Sequence, residues 1–213
     1  MAKAAKPGSE EGRRRILAAA RSAFATHGFE GASLRAISVE AGVLHTAMLY
    51  HFPSKDVLWR AVMADLFDAV EARFADEAAR LAGAPPDLLA RALVRNFVSF
   101  CASCPELHRI MTIEGRSDTD RLTWLVDRYS RRLFDAVKAM APVANPLIAD
   151  PIQLYYAIIG LSASVFTLAP EYRRLSGRDP FAEAEITATA DLVERLVFGP
   201  AGTGLSNADT DPT

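Results

Sequence analysis

Apolar residues recur at helical spacing along most of the chain, while strong β-formers are scattered. Near the N-terminus Ile16, Leu17, Ala20, Ala23 and Phe24 form one stripe. That stripe predicts a helix over about 10–27, stopped by Gly28. Ser33 is placed to cap a short helix over about 34–41, which Gly42 breaks. A third short helix runs from 44 or 45 to 51 and ends before Pro53. Ser54 then caps a long helix whose one face carries Val57, Leu58, Ala61, Val62, Leu66, Ala69 and Val70. Pro85–Pro86 marks a loop, Asp87 caps a helix to about 104, and Pro105 opens another to about 114. Beyond a turn at 115–118, one amphipathic helix is expected over 119–140. The proline-rich stretch 142–151 is a loop. An uncharged helix follows over 152–168, then a short piece near 171–175 and a last helix over 181–198, stopped by Gly199. The fold class is therefore all-α: a three-helix N-terminal head and a larger helical-bundle body.

In domain terms, 1–8 reads as a flexible arm, 9–53 as a helix-turn-helix domain and 54–199 as a ligand-binding and dimerisation body. Residues 200–213 read as a disordered tail. Half of the 213 residues are apolar and 23% are charged, an ordinary globular balance that excludes general disorder. The net charge of −2 hides an asymmetry. Residues 1–60 carry nine basic and five acidic side chains, and the remainder carries fifteen and twenty-one. A basic head on an acidic body points to a polyanion partner for the head alone.

Two short helices joined through Ala41-Gly42-Val43 make a helix-turn-helix. The geometry needs a small residue where the helices approach and a residue free to take positive φ at the turn. Val43 should re-enter the core beside Ile37. The second helix then protrudes, as a major-groove reader must. On these residues the sequence resembles the TetR family of transcriptional regulators. The resemblance runs over about fifty residues: Arg15-Ile16-Leu17, Phe24 to Phe29, Ala32 to Ile37, Ala41-Gly42-Val43 and Tyr50-His51-Phe52-Pro53-Ser54-Lys55-Asp56-Val57-Leu58. Pro170 to Pro180 also looks like a stretch seen in many members. The resemblance implies a DNA-reading head, a helical body that binds a small molecule, repression relieved by that molecule, and a homodimer with a four-helix interface. One departure stands out. Leu44 replaces the small polar residue usual after the valine, which removes a helix cap. Met48 and Leu49 stand where members usually have Leu-Tyr, so the tyrosine that commonly holds a phosphate is displaced. Tyr50 lies about 100° further round. A leucine between Met48 and Tyr50 is most simply explained by apolar packing.

The resulting candidates for double-stranded DNA are Arg15, Ser33, Arg35, His45, Thr46, Ala47, Tyr50, His51 and Lys55. Arg13, Arg14 and Arg15 could reach a phosphate or the minor groove. Lys55 sits where free N–H groups and the helix dipole attract phosphate. His45, Thr46 and Ala47 begin the reading helix and are the base-edge candidates. In the body, Phe97, Phe100, Cys104, His108, Met111, Trp124 and Tyr155 are candidate walls of an effector cavity, with Glu114 a further polar candidate. The effector is expected to be apolar or aromatic. Ala157, Gly160 and Ser164 form a small-residue stripe on the uncharged helix. With Ile186, Ala190, Val193 and Val197 on the last helix, they are the candidate dimer faces.

Other chemistries find little support. Cys101-Ala102-Ser103-Cys104 lacks the second ligand pair that zinc requires, and continues an apolar face as core filling. No nucleophile elbow, phosphate-binding loop or dinucleotide fingerprint is present, so no enzyme and no cofactor are expected. The twenty uncharged residues from Pro151 to Pro170 could span a bilayer by length. Their polar members and flanking prolines favour a buried helix instead, so no membrane partner is expected and the location is cytoplasmic. One alternative stays open from the altered reading helix: a helical ligand- or protein-binding dimer whose head has lost specific DNA binding.

Overall fold

A computed structural model describes residues 10–148 and 150–199, so the expected arm and tail lie outside the described residues. Among the described residues every regular element is helical.

Helix α1 (Glu10–Gly31) buries Ile16, Leu17, Ala20 and Phe24, and carries Glu10 and Glu11 in its first turn, where the helix dipole favours them. Gly28, at φ 66° and ψ −179°, breaks the helical path near its end. An alanine Cβ there would lie 3.0 Å from Cγ2 of Ile113, so glycine serves both the backbone and a close approach. In α2 (Leu34–Glu40) the Ser33 side chain accepts from the Ala36 N–H at 3.5 Å. Gly42 takes φ +63°, its N–H reaching the Val39 carbonyl, while Val43 N–H reaches that of Ser38. Val43 packs against the core that holds Ile37. Helix α3 (His45–His51) starts at Leu44 with no side-chain cap, as the sequence implies. Ser54 does cap α4 (Lys55–Arg80), accepting from Val57 N–H at 3.2 Å.

Helix α5 (Pro86–Ser103) departs from expectation at its start: Pro85 is the capping residue, and Asp87 sits inside the first turn. A single residue, Cys104, separates α5 from α6 (Pro105–Glu114). The expected helix over 119–140 is divided. Thr119 caps α7 (Asp120–Leu125), a π turn occupies Val126–Ser130, and α8 (Arg131–Met140) continues beyond it. Asp150 caps α9 (Pro151–Thr167); α10 (Ala169–Ser176) and α11 (Glu183–Phe198) follow.

Two apolar cores result. The first joins the head to the body: Ile16, Phe24, Ile37 and Met48 meet Trp59 and Met63 of α4, Leu107 and Ile110 of α6, and Tyr129 of the π turn. The second gathers α5, α9 and α11 around Val94, Val98, Leu154, Phe166, Val193 and Val197. Arg91 and Arg95 of α5 flank it, pairing with Glu194 and with Asp191 and Glu194. Arg91 also donates to the carbonyls of Phe198 and Gly199, the negative end of α11.

No single described helix is long and apolar enough to cross a membrane; α9 and α10 together reach the length but are bent by 73°. Helix α9 buries Leu154, Ile158, Ala163 and Phe166 within the second core.

Candidate nucleic-acid interface and effector cavity

The reading helix has a clear inside and outside. Met48 fills the head's core, and Ala47 beside it is only 7% exposed. Ala47 is therefore withdrawn as a base contact, because its methyl group faces inward. His45, Thr46 and Tyr50 face solvent. Leu49 is 37% exposed and lies on that outer side too, so Met48 supplies the packing expected of Leu49. Leu44 is also exposed. His51 is half-buried, its ring 5.6 Å from that of Tyr50. Ser33, the cap of α2, and Arg35 within it are exposed.

Two basic residues are more committed to the fold than their positions suggested. Lys55 Nζ donates to the carbonyls of Glu30 and Ala32, at 3.2 and 3.3 Å, and stands 4.6 Å from the Phe29 ring centre. It ties the start of α4 to the end of α1. Arg15 is half-buried and braces the helix-turn-helix: a Cβ at Gly42 would sit 3.2 Å from its guanidinium. Arg13 lies 5.6 Å from the Phe52 ring centre, and exposed Arg14 pairs with Glu11.

In the body, an open cavity of about 570 Å³ lies between α6, the π turn, α8 and α9. His108, Met111 and Tyr155 line it, as expected; Ser130, Arg131 and Phe134 do so beyond expectation. A narrow space of about 80 Å³ adjoins it, and Phe97, Phe100, Cys104, His108, Met111 and Tyr155 all line that space. A third cavity, of about 320 Å³, is walled by α4, α5, α8 and α9. Tyr155 and Ile159 border all three. Burial pushes the His108 imidazole below its ordinary range, so it is neutral at neutral pH. Burial pushes the Tyr155 phenol up, partly offset by the Ser130 hydroxyl. Cys101 is pushed up to about 12 by burial, and Cys104 is raised for the same reason. Both thiols stay protonated and pack as apolar groups. No group of three or more His, Cys, Asp or Glu that could hold a metal occurs among the described residues.

Two expectations about the cavity are corrected. Trp124 lines none of these three spaces; it borders a separate, more open hollow of about 510 Å³ beside Arg60, Asp120 and Arg128. Its ring packs 5.9 Å from that of Trp59 and 5.5 Å from that of Tyr129, with the Arg60 guanidinium 4.8 Å away. Glu114 is also elsewhere, 5% exposed, accepting from the Thr119 hydroxyl at 2.7 Å and from Arg121 Nε at 3.0 Å. Arg121 in turn lies 3.8 Å from the Phe29 ring centre and reaches Glu30. Glu114 and Arg121 thus clasp the 115–119 turn and press it onto the end of α1.

The expected dimer faces divide. On α9, Gly160 and Ser164 are exposed and Ala157 half-buried, and a Cβ at Gly160 would meet nothing within 4 Å. Tyr156 and Leu168 are exposed near them. On α11 the expected stripe faces inward: Ala190, Val193 and Val197 are buried and Ile186 half-buried, all in the second core. The exposed large apolar residues of α11 are Leu192 and Leu196.

Residues 16–62 match the family of bacterial regulatory proteins, tetR family. The HTH-type transcriptional regulator RutR of Escherichia coli (strain K12) is 28% identical over 196 residues, spanning 86% of this chain and 87% of that protein. Among solved structures, AibR in complex with isovaleryl coenzyme A and operator DNA has a TM-score of 0.68 at 18% identity, over 90% of this chain and all of that one. The ketosteroid transcriptional regulator KstR2 of Mycobacterium tuberculosis has a TM-score of 0.66 at 18% identity, over 92% of this chain and 98% of that one. At such identities these two structures show a shared fold.

Proposed function

Belonging to the TetR family of bacterial regulatory proteins, the chain is a helix-turn-helix transcriptional regulator, and we propose that it works as a ligand-responsive repressor, a cytoplasmic homodimer bound to a palindromic operator. The observation that carries the proposal is the outer face of α3. His45, Thr46 and Tyr50 face solvent there, above a buried Met48 that fixes the helix to the head. A small helix held from below, with His45, Thr46 and Tyr50 turned outward, suits entry into a major groove. Thr46 and His45 are the base-edge candidates, while Arg35, Tyr50, His51 and Ser33 surround them for phosphate contact. Arg15 and Lys55 act mainly by holding the head in shape, with phosphate contact secondary.

The dimer uses the exposed side of α9, with Gly160 and Ser164 allowing close approach, and the outer side of α11 at Leu192 and Leu196. An effector in the body cavity relieves repression; AibR, of the same fold, has been solved with both isovaleryl coenzyme A and operator DNA.

Selection of bound duplexes from a random pool tests the reading. Two heads on a two-fold axis must return an inverted repeat, with half-sites about one helical turn, roughly 34–36 Å, apart. Recovery of a single unrepeated half-site would overturn it. A second reading rests on exposed Leu44 and Leu49, which bring apolar surface to the reading face: a ligand-binding dimer whose head no longer selects sequence. It predicts salt-dependent retention on any duplex and no enriched sequence. Gly160→Glu should convert the dimer to monomer in sedimentation equilibrium.

A further inference from the structure

Resting on the effector reading above, we infer that the body cavity takes an amphipathic monocarboxylate: a carboxylate at Arg116 and Arg131, carried on an apolar tail that runs past Tyr155 into the inner cavity. Polarity falls from the outer to the inner of the adjoining cavities, which share Tyr155 and Ile159. The open cavity of about 570 Å³ includes both arginines among its walls and no carboxylate. Arg116 makes no ion pair among the described residues, and Arg131 pairs only with the exposed Asp127, at 3.3 Å. Two guanidiniums facing one opening, with one acidic neighbour, leave about one positive charge for a ligand to neutralise. His108 does not add to that charge, because burial keeps it neutral; it is available as a hydrogen-bonding wall beside Ser130 and Thr112.

Further in, the polar groups run out. The cavity of about 320 Å³ is lined by residues such as Phe74, Leu93, Val94, Val137 and Met140, with the Tyr155 phenol its one polar side chain. Tyr155 and Ile159 border the outer and the inner space alike, so these two side chains stand at the boundary that a tail would cross. An anion without a tail would leave the inner cavity unfilled, and a wholly apolar molecule would leave the two guanidiniums without a partner. A single carboxylate on an unbranched tail satisfies both ends. A coenzyme A thioester shares the tail chemistry but carries several phosphates, more negative charge than two arginines balance, so the free acid is favoured.

The test is calorimetric titration of the full-length protein without DNA, using sodium butanoate to dodecanoate below their micellar range. Each methylene buried contributes about 0.8 kcal/mol, so affinity should rise roughly fourfold per added carbon until the inner cavity is full. Decanol and decyltrimethylammonium should bind at least about tenfold more weakly than decanoate. The double variant Arg116→Gln, Arg131→Gln should bind decanoate and decanol equally while keeping the wild-type affinity for decanol, which also shows that it folds. Ile159→Trp should shorten the chain length at which affinity levels off. Equal binding of decanol and decanoate by the wild type, no dependence on chain length, no binding by any member of the series, or tight binding of decanoyl coenzyme A without the free acid would each overturn the inference. Because no DNA is present, a failed operator selection leaves this titration readable. A recovered operator with no carboxylate binding would remove the ligand class alone.

Discussion

Replacing Gly28 by alanine should loosen the joint between head and body, and the structure sets the size of the effect. Gly28 holds φ 66° with ψ −179°, a region that residues bearing a Cβ avoid at a cost of about 1–3 kcal/mol. The added methyl would also lie 3.0 Å from Cγ2 of Ile113, inside ordinary van der Waals contact. Together these should destabilise the chain by roughly 2–4 kcal/mol. For a protein of this size each kcal/mol moves Tm by about 2–4 °C, so a fall of roughly 4–16 °C is expected at fixed protein concentration. A double-mutant cycle with Ile113→Ala separates the two causes. Ile113 is 37% exposed, so its truncation alone should cost only about 1–2 kcal/mol, below the range for a fully buried isoleucine. In the double variant the steric part should vanish and the backbone part persist. A loss under about 0.5 kcal/mol for Gly28→Ala would refute the reasoning. Full recovery on adding Ile113→Ala would show that the contact alone matters and the backbone is unstrained.

Arg121→Ala should cost roughly 2–4 kcal/mol in urea unfolding, since it strands the buried Glu114 carboxylate and uncovers Phe29; Arg121 is itself 19% exposed, which keeps the figure at or below that for a fully buried pair. His108 has a folded-state pKa lowered by burial, so its contribution to stability is present above the unfolded value of about 6.5 and is lost as pH falls below it. His108→Gln should therefore flatten the acid side of a Tm–pH profile, and an unchanged slope would count against a neutral buried imidazole. Leu49→Tyr should leave the unfolding free energy within about 0.5 kcal/mol of wild type, because Met48 does the packing, and should tighten operator binding in a fluorescence titration by adding a phosphate hydrogen bond. Weaker binding would mean that Leu49 itself touches the DNA.

The head was legible in the sequence because its determinants are local. Ser33 and Ser54 cap the helices they precede, and Gly42 takes the positive φ that its turn requires. The body is legible only as far as local signals reach. A period of 3.6 cannot reveal the extra residue in the π turn at Val126–Ser130, which shifts the phase of everything after it. Residues beyond the turn judged from one uninterrupted helix are then missed: Arg131 and Phe134 reach the cavity. Trp124 precedes the turn, and its packing on Trp59 of α4 is a tertiary contact that no local period announces. The last helix poses a different problem. It carries two apolar stripes, and periodicity does not say which one is inside. Asp191 and Glu194 flank the stripe of Ala190, Val193 and Val197, and their partners Arg91 and Arg95 stand on α5, about a hundred residues earlier. That pairing turns the stripe inward, and nothing local in the sequence announces it.

The placement of α6 makes the cavity and the head mechanically dependent. His108, Met111 and Thr112 face the open cavity, while Leu107 and Ile110 belong to the core that continues into the head, and Ile113 sits against Gly28. A ten-residue helix spans only about 15 Å, so its two faces cannot be displaced independently. The Glu114–Arg121 pair closes its C-terminal end against Phe29, so movement there reaches α1 directly. A bound molecule can nevertheless shift DNA affinity only by preferring one placement of α6 over another. A tenfold loss of operator affinity requires about 1.4 kcal/mol of such preference. That is less than the expected cost of breaking the Glu114–Arg121 pair, so the clasp need only shift, not open, for the head to respond.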